Sequence, residues 1–387
     1  MAYKGFNPVA FARTSATTLA KHIKEVEESM LRNFQMGALL ESAGRINFNN
    51  AGEGFDWPVQ YRLHKVEGNT GETQRNFARK NLWKTASLEY RGYQVTDTMY
   101  YREFRSNRGP EGIIKVFDNF VERLETSITE GLGGEYYVDG AASGNEQSWH
   151  GLETLFGPDD MDSIDITSAS TSERSKNDAD LVGAPDSTTY AGILTDLGQY
   201  GGDNETGARW PLGIADSEYD FWSPLVINYT CSTVVADGGL PSTDNTFGGQ
   251  GDEAMRFAII NAQRNTSKNG QVTNIVLARD LYTDLLNLID DKERIAISSE
   301  HNLRALGFKN VLNFDGVEVS WEAAIPTGVG YGLNYDNIEL KSMDDALLRS
   351  EGPEYDIHSQ SFNAVVSTLS NLKFSSPRNF FKLMTFA

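Results

Sequence analysis

An internal disulfide is closed to this chain, because Cys231 is the single cysteine among 387 residues. Histidine is nearly as scarce: His22, His64, His150, His301 and His358 stand apart, without the spacing of a metal site. Positive charge is short as well. Against 54 Asp and Glu there are 34 Lys and Arg, and the net charge of -20 repels phosphate backbones and anionic bilayers. Nucleic-acid binding by the chain as a whole is therefore not expected. No run approaches the ~20 apolar residues of a membrane span, and the opening MAYKGFNPVAFARTSATT lacks the apolar centre of a signal peptide. A soluble protein of a reducing cytoplasm fits these absences.

The motifs of catalysis and cofactor binding are missing too. GVGYGLN from Gly328 has alternating glycines but no helix pattern after it, so it reads as a strand approaching another backbone rather than a dinucleotide loop. GGQGDE from Gly248 precedes a helix pattern yet lacks the lysine of a phosphate loop. Asp159, Asp160, Asp162 and Asp165 are acidic enough for calcium, but their spacing does not match a calcium-binding loop, and a solvated acidic loop is the simpler reading. There is no GxSxG elbow. His150 beside Trp149 reads as a hydrogen-bonded turn residue and Cys231 as a buried strand thiol. Three Asn-x-Ser/Thr tripeptides, at Asn204, Asn228 and Asn265, have no secretory signal to give them meaning. No enzyme, cofactor or metal site is expected.

What the chain does contain is a long amphipathic run, from Gly109 to about Tyr137. Ile113, Phe117, Phe120, Leu124 and Ile128 recur three or four apart, with Ile114 and Val121 widening the stripe, which predicts a helix with one buried face. Gly109 before Pro110 and Glu111 marks its start: proline at the first helical position gives up no useful N–H, and glutamate suits the positive end of the dipole. At 1.5 Å per residue such a helix is ~40 Å long. Gly131, Gly133 and Gly134 either let another backbone approach or end it early.

Upstream, Phe55, Trp57, Val59, Tyr61 and Leu63 alternate with Asp56, Pro58, Gln60 and Arg62, a strand with one apolar face. LWKTASLEYRGYQV after Asn81 is the returning strand, so His64 to Lys80 forms the tip of a long hairpin. In that tip Lys65, Arg75, Arg79 and Lys80 outweigh Glu67 and Glu72, giving a cationic arm on an anionic protein. A two-stranded ribbon is marginal alone in water. The face of Phe55, Trp57 and Tyr61 needs cover, elsewhere in this chain or on a neighbour.

Further helices are expected over Ser15–Ala43, Tyr190–Leu197, Asp252–Arg264 and Asp280–Ile289. Strands are expected over Tyr93–Phe104, Pro224–Val235, Val272–Leu277, Val317–Trp321, Val329–Leu333 and Ile338–Leu340, and two more around SSPRN between Phe362 and Leu383. Between Pro158 and Gly249 the composition turns to Asp, Ser, Thr and Gly, a loop-rich region or insertion. The fold class is mixed α+β.

This order of parts resembles the major capsid proteins of tailed bacteriophages, the Hong Kong ninety-seven-type fold. The closest local likeness is LRALGFKNVLNFDGVEVSWEAAIPTGVGYGLNYDNIEL from Leu303 to Leu340, where Gly316, Val319, Pro326, Gly328 and Asn334 stand at the family's places; WHGLETLF after the long helix is similar too. The resemblance implies an N-terminal arm and helix over 1–45 and the E-loop hairpin with adjoining strands over 46–105. It implies a peripheral domain with a spine helix over 106–189, an axial domain with an insertion over 190–350, and closing peripheral strands over 351–387. It further implies a non-enzymatic virion protein, assembled in the host bacterial cytoplasm with copies of itself as pentamers and hexamers. A separate scaffold, a portal and a decoration protein are the implied accessory partners. Lys65, Arg75, Arg79, Lys80, Phe55, Trp57 and Tyr61 would then meet the next subunit. A bacterial encapsulin shell shares the fold, and a β-rich carbohydrate-binding protein or glycoside hydrolase is the reading from another class.

Overall fold

Apolar stripes and alternating runs give the elements of the computed structural model, which describes residues 34–60, 82–106, 110–156, 181–182, 189–195, 222, 224–229, 246–263, 270–292 and 311–384. In chain order these are α1 (Gln35–Ser42), β1 (Ile46–Asn47), β2 (Gly54–Gln60), β3 (Trp83–Glu89), β4 (Arg91–Tyr100), α2 (Tyr101–Ser106), α3 (Pro110–Glu135) and α4 (Glu153–Phe156). There follow β5 (Leu181–Val182), β6 (Thr189–Tyr190), β7 (Ile193–Leu194), β8 (Leu225–Asn228), α5 (Phe247–Ala262), β9 (Asn274–Leu277) and α6 (Arg279–Lys292). The last are β10 (Leu312–Phe314), β11 (Val317–Trp321), β12 (Gly330–Leu333), β13 (Ile338–Ser342), β14 (Arg349–Asp356), β15 (Ser361–Phe374) and β16 (Phe381–Met384).

Two sheets carry the fold. In the five-stranded sheet the 14-residue β15 is the axis: β4 runs antiparallel along one side over Ser361–Ser370, and β14 followed by β13 line the other, with β1 parallel to β13. The long helix α3 packs on β4. It starts at Pro110 as expected and runs 26 residues, about 39 Å at 1.5 Å per residue. Phe120, Leu124 and Ile128 are buried in the main core with Leu132 and Tyr136, each such side chain contributing roughly 1.5–3 kcal/mol. Ile113 and Phe117 lie on the same helix, but their side chains fall outside the described part.

The glycines near its end do not stop it. Gly133 faces Phe34 so closely that a Cβ there would fall inside the ring, so a side chain rather than a backbone makes the close approach.

The seven-stranded sheet has the order β10-β11-β9-β12-β16-β8-β5, with β11–β9 and β16–β8 parallel and the other neighbours antiparallel. Helices α5 and α6 cover one face, where Leu225, Ile227, Ile275, Leu277 and Leu383 meet Met255, Ala258, Leu281 and Leu285. Val226, Val276, Tyr331 and Leu333 point the other way, into the main core. Burial on both faces explains why NIVLA reads as continuous apolar sequence rather than as alternation. It also explains GVGYGLN: β12 turns Tyr331 and Leu333 to one side and Gly330 and Gly332 to the other, where the side chains of Leu277 and Phe381 occupy the space.

Several expectations are corrected. Of the helix expected over Tyr190–Leu197, the described part is instead the β6–β7 hairpin, because Ala191 and Gly192 (φ 53° and 78°) form a two-residue turn with both central residues left-handed. The strand expected after Asn81 breaks at Tyr90 into β3, which pairs with β2, and β4, which pairs with β15; β4 ends at Tyr100, short of Phe104, and α2 follows. The helix expected from Asp252 begins at Phe247 and takes in GGQGDE. The two strands around SSPRN part: β15 belongs to the five-stranded sheet, whereas β16 lies inside the seven-stranded one. Within the loop-rich stretch, β8 is an inner strand of that sheet, its apolar run having marked a core position. The helix expected from Ser15 is described only over α1, and Cys231 and the acidic run from Asp159 lie outside the described residues.

Candidate assembly surface

Among the described residues the β2–β3 ribbon forms no ladder with either sheet, and its two strands pair with each other: Phe55 opposite Leu88, Trp57 opposite Ala86, Val59 opposite Lys84. Its apolar face is not open to a neighbour. Phe55, Trp57 and Val59 are each 7% exposed, covered by this same chain. Trp57 meets Tyr190 at 6.3 Å between ring centroids and Phe55 meets Tyr90 at 5.4 Å. Two lysines of the five-stranded sheet complete the seat. Lys341 Nζ sits 4.9 Å from the Phe55 ring centroid and Lys373 Nζ 5.4 Å from that of Trp57, cation–π contacts between an ammonium and a ring face. Burial, then the like charge of Lys373, depresses the Lys341 ammonium, while Lys373 is held by Glu339 at 3.1 Å.

This corrects the sequence expectation for Phe55 and Trp57. Alternation revealed the apolar face, but the cover comes from residues far apart in sequence, Tyr190, Lys341 and Lys373, which no local pattern joins. Tyr61, Lys65, Arg75, Arg79 and Lys80 lie outside the described residues. The described strands end at Gln60 and restart at Trp83, the pair from which that segment departs. Trp83 is 54% exposed on the outer face at this point, the largest aromatic left open on the ribbon.

Behind the ribbon the sheets, the long helix and α1 meet in a polar junction. Glu322, after β11, is buried, accepts from Tyr137 Oη at 2.6 Å, leaves its other carboxyl oxygen without a hydrogen bond, and has its own N–H on Leu277 O. Desolvation raises its carboxyl to about 7, against the Tyr137 hydrogen bond and the nearby Gln35 N–H, which act to lower it. Gln35 reaches back to Trp321 O at 2.8 Å and accepts from Ser320. A second buried carboxylate, Glu153 on α4, pairs with Lys382 on β16 at 2.8 Å and accepts from Tyr331. At the third point His150 Nδ1 lies 2.8 Å from Asn371 Nδ2, and the His150 N–H donates to Asn371 Oδ1. Burial, then Arg91, lowers His150 to about 4. These contacts tie α1, α3, α4 and both sheets into one frame that carries the ribbon. Among the described residues no cluster of His, Cys, Asp and Glu is arranged to hold a metal ion.

No protein-family model matches the sequence, and no curated protein matches it. By structure the chain is similar to the capsid asymmetric unit of cyanophage A-1(L), with a TM-score of 0.55 at 14% identity over 89% of this chain and 90% of that one. It is also similar to the capsid of a native GTA particle, TM-score 0.49 at 9% identity over 90% of each chain. A third similar structure is the satellite phage P4 procapsid including its size determination protein, TM-score 0.42 at 10% identity over 94% and 91%. The likeness to the cyanophage capsid shows the fold: this chain is a mixed α+β protein with the Hong Kong ninety-seven-type capsid fold.

Proposed function

We propose that this chain is the major capsid protein of a tailed phage, self-assembling through pentamers and hexamers into the icosahedral head that encloses the genome. The supporting observation is a fold shared with a cyanophage capsid over 89% of one chain and 90% of the other. In this reading α3 is the spine helix, the seven-stranded sheet with α5 and α6 is the axial part, and the ribbon is the root of the E-loop. Its tip, with Tyr61, Lys65, Arg75, Arg79 and Lys80, reaches the next subunit, a head-to-tail contact that closes rings. Phe55 and Trp57 anchor the root rather than making that contact. A net charge of -20 gives the cationic tip an attractive neighbour and leaves an inner wall that does not cling to packed DNA. The protein then belongs to the virion, is assembled in the host bacterial cytoplasm, performs no catalysis, and works with a separate scaffold, a portal and a decoration protein.

Size-exclusion chromatography with electron microscopy of the purified chain tests this. Rings of five or six subunits or closed particles support it; a monomer persisting at high concentration overturns it. Reversing the charge of Lys65, Arg75, Arg79 and Lys80 together should cut the yield of closed particles, and raised salt should cut the wild-type yield in the same direction. Equal yields from both proteins at low and high salt would remove the tip from the contact.

A further inference from the structure

The hairpin at residues 189–195 lies within the loop-rich stretch, yet it occupies the seat of the ribbon. Tyr190 is fully buried. Its ring stacks on Trp222 at 6.1 Å and meets Trp57 at 6.3 Å, Phe374 at 5.8 Å and His150 at 6.5 Å. Its hydroxyl accepts from the Phe374 N–H at 2.9 Å. One residue on, Ala191 O accepts from the Ser87 N–H of β3 at 3.2 Å. In an antiparallel ladder alternate N–H groups turn away from the partner strand, and the one at Ser87 turns to this hairpin. Ala191 makes that bond at φ 53°, a left-handed conformation that a residue with a Cβ holds only when its surroundings impose it. One side of the hairpin is thus fixed to β15 and the other to the ribbon, which has no ladder to either sheet.

We propose that residues 189–195 are a strap that fixes the tilt of the β2–β3 ribbon on the body, and thereby the direction in which its Gln60–Trp83 end points. Asn371 Nδ2 on Glu89 O at 2.7 Å holds the base of β3, and Lys341 and Lys373 sit on the rings, but along the rest of the ribbon apolar cover would allow it to rock, because apolar contact is not directional. The strap adds a ring wedge and a backbone hydrogen bond, which are. For its consequence in a shell the strap rests on the capsid reading: a subunit with a loosened strap presents its E-loop over a range of angles, and the particles it forms vary in size.

Hydrogen–deuterium exchange on the unassembled full-length chain tests the strap itself. Tyr190→Ala should speed exchange in 54–60 and 83–89 by at least about tenfold while leaving β9 and α5 as in the wild type. Tyr190→Phe, which keeps the rings and loses the hydroxyl, should fall between. Leu285→Ala, a cavity in the other core, should lower overall stability without loosening the ribbon selectively. Where Tyr190→Ala gives no soluble chain, Tyr190→Leu takes its place. Unchanged ribbon exchange, or loss spread equally over both cores, overturns the strap. Electron microscopy of particles from Tyr190→Phe reads the consequence separately: a wider spread of diameters supports it and wild-type uniformity counts against it. A wild type that forms no particles sinks the capsid reading while the exchange result still decides the strap.

Discussion

The two cores of this molecule are built from different materials. Beneath α5 and α6 the core is largely aliphatic, Leu, Ile, Val, Ala and Met at helical and strand spacing. The larger core, under α3 and the ribbon, holds Trp57, Trp149, Trp222 and the tyrosines around them, and beside these rings sit the buried Glu153, Glu322 and His150. Aliphatic packing is non-directional and fills space. Hydrogen bonds and ion pairs are directional and costly to leave unmade. The first core therefore holds a sheet and two helices together, while the second sets angles between parts: α1, long helix, ribbon and last strand.

The strongest way to break this comparison is to strip one partner from the Glu153–Lys382 pair. Its two side chains are 8% and 2% exposed, and it joins α4 to β16. Lys382→Met takes the ammonium away from a buried carboxylate, and should cost about 3–5 kcal/mol, read from denaturant unfolding. Adding Glu153→Gln should recover most of that loss, since a neutral amide still accepts from Tyr331 and no charge stays unpaired. A double variant as unstable as the single one would mean the pair acts by packing alone, and the contrast between the cores would lose its main support.

The same contrast explains what could be read from the residues. Phe120, Leu124 and Ile128 were legible because a stripe at three- and four-residue spacing has one cause. Strands β9, β11, β12 and β13 were legible from short apolar runs bounded by turn residues, and Phe55 and Trp57 from strict alternation. The aromatic junction was not. Tyr190, Trp222, Lys341, Lys373 and Glu322 come together only through the tertiary fold, each in a stretch whose local pattern is weak or points elsewhere. Tyr190 misled most: AGILTDL after it looks helical by composition, and only the left-handed Ala191–Gly192 turn makes a hairpin of it. Nor could alternation say which surface the ribbon face would meet, because a period of two names the buried side and not its cover.

Acidity separates two of the buried titratable groups of the junction, Glu322 and His150. Glu322 is raised from 4.5 to about 7, chiefly by desolvation, with Tyr137, Tyr136, Tyr335 and the Gln35 N–H around it. Its folded form holds a proton that the unfolded form gives up, so its share of stability is complete below pH 4.5 and is lost as pH rises toward 7, about 3 kcal/mol in all. His150 is lowered from 6.5 to about 4 by burial and Arg91, with Asn371 acting to raise it. Its share is complete above pH 6.5 and is lost as pH falls toward 4, by a similar amount. From 4.5 to 6.5 the two slopes oppose. Glu322→Gln removes one of them, so the variant should gain on the wild type at pH 8 and lose stability steadily below pH 6.5. Parallel wild-type and variant curves from pH 5 to 8 would show that Glu322 does not titrate in this range.

The smallest effect is expected outside the aromatic core, on the wet side of the contact between α3 and β4. Arg123 on α3 lies 2.8 Å from Asp97 on β4, with side chains 61% and 26% exposed. The contact is close, but it is not aligned as a hydrogen bond. Water competes for the guanidinium, though not for the covered Asp97 Oδ2, so Arg123→Ala should change stability by about 1 kcal/mol or less, and about 1 M salt should erase part of that. A loss comparable with that of Lys382→Met would place orientation of α3 in its surface charges. With the small loss, the buried stripe and the polar junction carry it, because desolvation is what gives a charge pair its leverage here.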